Sequence, residues 1–314
     1  RIAWELPLGL QDPPSLAVLI CPLPRDIAMI CQRYFGAHMP HPLAQARFDV
    51  RATGMVELAT HGLVCSFNRS LECVTAWDAG SAEVKGRVAT GDVAALAPHG
   101  ELLITVSTNR CMHVWNMQQG CQVGGEVLVR SDCVPTAMVC TSSGYVIILG
   151  RMDGKLPNGC SVLEAWKLDH GTLHFVSTQR FWSKMDRVHL LSDDRLLCFT
   201  LLEPTCTVVN IEPLLKGHIS QLEEVKGRAA AVTATGHPQC VWSSLGPNVR
   251  LLDLRTRTHE VLRFACEASK SQWHHIASLP NGALAAACRT TLRLYDPRAL
   301  RPDVSCFSLG SKAS

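Results

Sequence analysis

One short strand pattern recurs along the chain: apolar residues closing on a bulky one, usually followed by a polar one. It reads Cys73-Val74-Thr75-Ala76-Trp77-Asp78, then Met112-His113-Val114-Trp115-Asn116, then Val162-Leu163-Glu164-Ala165-Trp166-Lys167. Later copies are Thr207-Val208-Val209-Asn210, Arg250-Leu251-Leu252-Asp253 and Arg293-Leu294-Tyr295-Asp296, and a poorer one is Met29-Ile30-Cys31-Gln32-Arg33-Tyr34. The anchors Tyr34, Trp77, Trp115, Trp166, Val209, Leu252 and Tyr295 are separated by 43, 38, 51, 43, 43 and 43 residues. Independent loops rarely yield four identical gaps. The 51-residue gap holds an insertion, Arg151 to Gly159, whose Asp153-Gly154 and Pro157-Asn158-Gly159 carry turn chemistry.

Other strands keep the same period. An apolar strand precedes each anchor strand, as in Gly62 to Phe67, Gly144 to Gly150 and Arg195 to Leu201; a further strand precedes that one, and a fourth follows the anchor. A self-similar unit of about 43 residues with four short strands is the size of a propeller blade. The expectation is an all-β chain: one seven-bladed β-propeller over 1–314, with four antiparallel strands per blade. Its blades fall at about 1–54, 55–91, 92–133, 134–183, 184–227, 228–272 and 273–314. The strand Ile2 to Leu6 either opens the first blade or pairs outside the seventh; the sequence leaves both open.

At these residues the chain resembles the WD40 family. Leu215-Lys216-Gly217-His218 through Leu252-Asp253-Leu254-Arg255-Thr256 looks like one whole repeat, with Leu-Asp where Trp-Asp is usual. Gly91-Asp92-Val93 through Pro98-His99-Gly100 is similar to the family's innermost strand and following turn. Ser107 lies eight residues before Trp115, the spacing of the family's buried Ser–Trp pair, and Trp77-Asp78 is a true Trp-Asp. The resemblance implies structural roles for the anchors and for Asp78, Asp253 and Asp296. It also implies adaptor or scaffold work that needs no cofactor.

The totals agree with a cored chain: 47% hydrophobic and 18% charged residues, with a net charge of +3 carried by 22 Arg and 8 Lys. That balance does not mark a nucleic-acid binder, which usually shows a strong basic excess. The 15 Cys are odd in number, lack any C-x-x-C and mostly sit in apolar runs, so they read as reduced thiols of an intracellular compartment, the cytoplasm favoured over the nucleus. No apolar run reaches the length of a membrane span, and the start does not read as a signal peptide. The chain begins with Arg1 rather than Met and is expected to be part of a larger polypeptide or a complex.

No nucleophile elbow, phosphate-binding loop or metalloprotease motif occurs, and no enzyme is expected. Cys111-x-His113 would place two ligands on one strand face; His38-x-x-His41 and His274-His275 are other pairs. None has a convincing second pair, so no metal is expected. Trp182, Trp242 and Trp273 lie outside the anchors and read as core.

The connections between the second and third strands of the blades collect basic residues: Arg25, Arg69, Arg110, Arg151 with Lys155, and Arg289. Planar guanidinium groups gathered on one face suit carboxylates or phosphates. The expectation is a protein-interaction propeller that binds a partner, an acidic segment of it in particular, through this face. An RNA-associated propeller is the alternative, and a hydrolase site hidden on a propeller is a further one.

Overall fold

The computed structural model describes residues 54–58, 62–68, 72–78, 83–152, 160–192, 194–200, 205–218, 222–226, 229, 231–234, 240–245, 248–255, 258–260, 275–278, 284–287, 291–295 and 306–308. They form six antiparallel sheets of four strands, each in simple sequence order. The first holds β1 (Gly54–Leu58), β2 (Leu63–Asn68), β3 (Cys73–Asp78) and β4 (Val84–Ala89). The second holds β5 (Val93–His99), β6 (Leu102–Ser107), β7 (Cys111–Asn116) and β8 (Cys121–Leu128). The third holds β9 (Val134–Cys140), β10 (Tyr145–Met152), β11 (Cys160–Asp169) and β12 (Thr172–Phe181). The fourth holds β13 (Arg187–Ser192), β14 (Arg195–Phe199), β15 (Thr205–Asn210) and β16 (Leu222–Lys226). The fifth holds β17 (Ala231–Ala234), β18 (Cys240–Leu245), β19 (Asn248–Asp253) and β20 (Thr258–Glu260). The sixth holds β21 (His275–Ser278), β22 (Leu284–Ala287), β23 (Thr291–Tyr295) and β24 (Cys306–Ser308). The first expected blade, with Ile2 to Leu6 and Tyr34, lies outside the described residues.

The sheets stack face to face. The first strand of each packs on the first strand of the next: β1 on β5, β5 on β9, β9 on β13, β13 on β17 and β17 on β21. A separate apolar cluster fills each of these interfaces. Leu58, Cys65 and Val74 meet Leu103, Trp115 and Met117 across the first; Leu149 and Leu163 meet Leu196 and Val209 across the third. Middle strands are therefore apolar on both faces, as in β10, where Val146, Ile147, Ile148 and Leu149 are all buried. Each such side chain contributes roughly 1.5–3 kcal/mol by leaving water. The outermost strand β8 is exposed along most of its length, with only partial burial at Val123 and Val127.

Two devices join neighbours at the rim. Gly124 of β8 and Gly171 of the β11–β12 turn have φ of +75° and +82°. A Cβ on Gly124 would stand 2.6 Å from the Gly171 carbonyl oxygen, so the approach requires glycine twice over. Between β15 and β16, α1 (Ile211–Leu215) is capped by Asn210, whose side chain accepts from the Glu212 N–H. Its Leu214 carbonyl accepts the Ser177 hydroxyl of β12, tying the fourth sheet to the third.

Three expectations change. Arg151 and Met152 belong to β10 rather than to a loop: Arg151 pairs with Ser161 and Met152 with Cys160, which carries the strand into the insertion. Residues 153–159 of that insertion lie outside the described residues. Gly217-His218 follows α1, and His218 is exposed, so it enters no buried network. Ser107 does not meet Trp115; its Oγ accepts the Cys111 N–H at 3.0 Å and shapes the β6–β7 turn.

Candidate functional site

Antiparallel order fixes which loops share an end of the stack. The second-to-third-strand turns and the linkers between sheets emerge at one end, and the other turns emerge at the opposite end. Hydrogen bonds tie the first set together. Thr108 of the β6–β7 turn donates its hydroxyl to Asp92 of the preceding linker at 3.0 Å, and its N–H to the Asp92 carbonyl at 3.1 Å.

Arg110 closes that turn with φ +73°. Its Nη1 donates to Asp132 Oδ1 at 2.6 Å and to the Ser131 carbonyl at 3.2 Å, both in the following linker. Asp132 is 90% exposed, so the pair is worth about 0.2–1 kcal/mol. Arg130 of the same linker places its guanidinium 4.3 Å from the Phe175 ring centroid. Arg151 stands exposed at the same end of the next sheet. Arg25, Arg69, Lys155 and Arg289 lie outside the described residues, so the structure brings two of the six basic candidates, Arg110 and Arg151, to one end.

Sequence reasoning missed Trp182. It follows β12 in the linker to β13 and is 76% exposed, not core. Trp242 is buried as expected, and Trp273 lies outside the described residues. The missed signal was strand phase: Ser177, Gln179 and Phe181 turn inward, Thr178 and Arg180 outward, and Trp182 continues the outward set. The linker around it is firmly held. Phe181 and Met185 are buried, and the Ser161 hydroxyl donates to the carbonyls of Ser183 and Met185 while accepting the Met185 N–H at 2.8 Å.

The anchors occupy one structural position. In the first sheet the Trp77 indole N–H donates to Ser66 Oγ at 2.8 Å; in the second, Trp115 donates to Thr105 Oγ1 at 2.9 Å. Both acceptors lie on the second strand, opposite the residue two before the tryptophan. In the third sheet that position is Ile148, and Trp166 donates instead to Glu164 of its own strand at 3.0 Å. Glu164 is buried and also accepts the N–H groups of Arg130 and Ser131, so it pins the linker as well. Val209 and Leu252 are buried apolar anchors, and Tyr295 lies in β23 opposite Leu284. Tyr34 and Asp296 lie outside the described residues. The residue after the anchor closes the turn: Asn116 accepts from the Gln118 and Gln119 N–H groups, and Asp253 from that of Arg255. Asp78, half-buried, donates its own N–H to the Glu83 carbonyl at 2.8 Å.

Cys111 and His113 do share one face of β7, and both bond Glu126 of β8 at 3.2 Å. The Glu126 hydrogen bond raises the Cys111 thiol above its ordinary pKa. Among the described residues no group of three such side chains could hold a metal. His38, His41 and His274 lie outside them. Burial pushes the thiols of Cys65, Cys198 and Cys206 up to about 12, which keeps them protonated, and the described cysteines form no disulfide. No helix among the described residues is long and apolar enough to cross a membrane.

No family model and no curated protein matches the sequence. Solved structures do: 1135 chains are similar, so the architecture is widespread and does not by itself specify a role. One is U3-55K, a WD40 propeller protein, at 17% identity and a TM-score of 0.54, covering 72% of this chain and 70% of that one. Another is the computationally designed Ika8 protein, at 17% identity and a TM-score of 0.51, covering 76% of this chain and 70% of that one. At these identities the likeness concerns the fold: a WD40-like, propeller-like succession of four-stranded sheets.

Proposed function

We propose that the chain is a single seven-bladed propeller that serves inside the cell as a non-enzymatic interaction scaffold. It docks a partner protein, as a subunit of a larger assembly, through the end carrying the second-to-third-strand turns. One observation supports this reading above the rest: Arg110, Arg130 and Arg151 stand at one end of two successive sheets, with Arg110 tied to the following linker by hydrogen bonds. Loops positioned by a stiff scaffold are suited to recognition.

Lysine placement supplies the test. Lys184 lies at the proposed end, and Lys155 belongs to the insertion there; Lys85, Lys167 and Lys216 lie toward the opposite end. Affinity purification followed by lysine cross-linking is expected to join partners to Lys155 and Lys184. Partner cross-links confined to Lys85, Lys167 and Lys216 would overturn the assignment of the face. Charge reversal of Arg25, Arg69 and Arg151 together is expected to abolish capture.

A further inference from the structure

We propose that Trp182, flanked by Arg180 and Lys184, anchors a docking site for an acidic partner segment that carries an apolar side chain. The inference rests on the scaffold reading above and names the chemistry of its partner.

Trp182 leaves a large apolar surface, roughly 150–250 Å² in an indole side chain, mostly in water at 76% exposure. Such a residue normally folds down when its segment is loose. Here the segment is not free to do so. Phe181 on one side and Met185 on the other are buried, and the three hydrogen bonds of Ser161 fix the backbone between them. The indole is presented rather than left over. A rigid, exposed tryptophan has the character of an interface anchor, because it offers much contact area at little entropic cost.

Its surroundings are basic. Arg180 and Lys184, two residues to either side, are both exposed. Arg151 pairs with Ser161, and Ser161 pairs with Phe181, so Arg151 lies at the same end of the sheet but shares the face of Phe181 rather than that of Arg180. Asp186 is the one acidic residue of the linker and is half-buried. Charge complementarity thus selects an acidic segment, and the indole selects an apolar residue within it. Arg110, in the preceding sheet, already holds a carboxyl group, that of Asp132. The exposed Asp132 also interrupts a continuous phosphate track, which favours peptide over nucleic acid.

The test uses the whole chain and fluorescein-labelled synthetic probes. These are a 12-residue Asp/Glu-rich peptide with a central Phe, the same peptide with a central Ala, and a 12-nucleotide oligouridine. Anisotropy is expected to show that the Phe peptide binds more tightly than the Ala peptide. Trp182→Ala should weaken the Phe peptide by about tenfold or more, and Trp182→Phe should restore most of the loss. Arg180→Glu with Lys184→Glu should weaken it comparably and flatten its salt dependence. Thermal midpoints should not move, since all three side chains are exposed. Equal binding of the Phe peptide by wild type and Trp182→Ala overturns the proposal, as does Trp182-dependent binding of oligouridine above either peptide. If partner cross-links stay at Lys184 in the Trp182→Ala protein, only this inference fails and the scaffold reading stands.

Discussion

The first three sheets and the next two solve the same packing problem with different side chains. In β1–β12 each anchor is a tryptophan, and each indole N–H has an acceptor: Ser66, Thr105 or Glu164. In β13–β20 the anchors are Val209 and Leu252, which donate nothing. The acceptor position follows suit in one sheet and not in the other. Opposite Thr207 stands Cys198, a buried apolar thiol, whereas opposite Arg250 stands Ser243, a buried hydroxyl without a partner. The buried side-chain atoms lacking a hydrogen bond among the described residues are Asp186 Oδ1, His189 Nε2, Ser243 Oγ and Arg250 Nε, all in the fourth and fifth sheets or the linker before them. A blade interface therefore tolerates loss of the tryptophan, but a polar partner left behind becomes a cost.

The largest effect should come from the best-satisfied group. Glu164→Ala strands the N–H groups of Trp166, Arg130 and Ser131 at once. At about 1–3 kcal/mol for each unsatisfied donor, with water re-entering in part, the loss should be about 4 kcal/mol. Urea unfolding is the measurement. A loss below about 1 kcal/mol would show that the linker does not depend on this side chain.

An orphan in the second region offers a pH test. Burial lowers His189 from 6.5 to about 4. Above the unfolded value neither state is protonated, and stability is full. Between about 6.5 and 4 the unfolded chain takes up a proton that the folded chain resists, so stability falls as pH drops and levels off below the folded value. The loss should approach about 3 kcal/mol. His189→Gln should lose less between pH 7 and pH 4.5 than wild type does in urea unfolding. Parallel losses would place the histidine in contact with solvent.

Much of this contrast could be read in advance, and its limits are physical. The anchor spacing reveals four-stranded units because a stacked interface demands a bulky apolar residue at a fixed place in every sheet. The acceptor of each indole was harder to read. A spacing of eight pointed to Ser107, but the register sets Leu103 opposite Trp115 and brings Thr105 to the indole. Register depends on turn length and on bulges such as the one between Met112 and Val114, which spacing along one strand does not carry. Trp182 escaped notice for a related reason: hydrophobicity argued for burial, while strand phase, set by the neighbours of Arg180, argued against it. The basic candidates were legible only as a shared end of the stack, because strand order fixes the end a loop occupies but not its partners. Arg110 turned out to hold Asp132.

The smallest predicted effect is a change of sign. Ser66 and Ser243 occupy equivalent places, and the same substitution should act on them in opposite directions. Ser66→Ala removes the hydroxyl that accepts the Trp77 indole N–H at a half-buried site, costing about 1–2 kcal/mol. Ser243→Ala removes a hydroxyl that is fully buried and bonds nothing, so it should be neutral or stabilise by up to about 1 kcal/mol. Paired denaturation curves for the two single variants decide it. Equal destabilisation would mean that Ser243 is satisfied in solution, and that the serine matters through its volume rather than through the missing tryptophan.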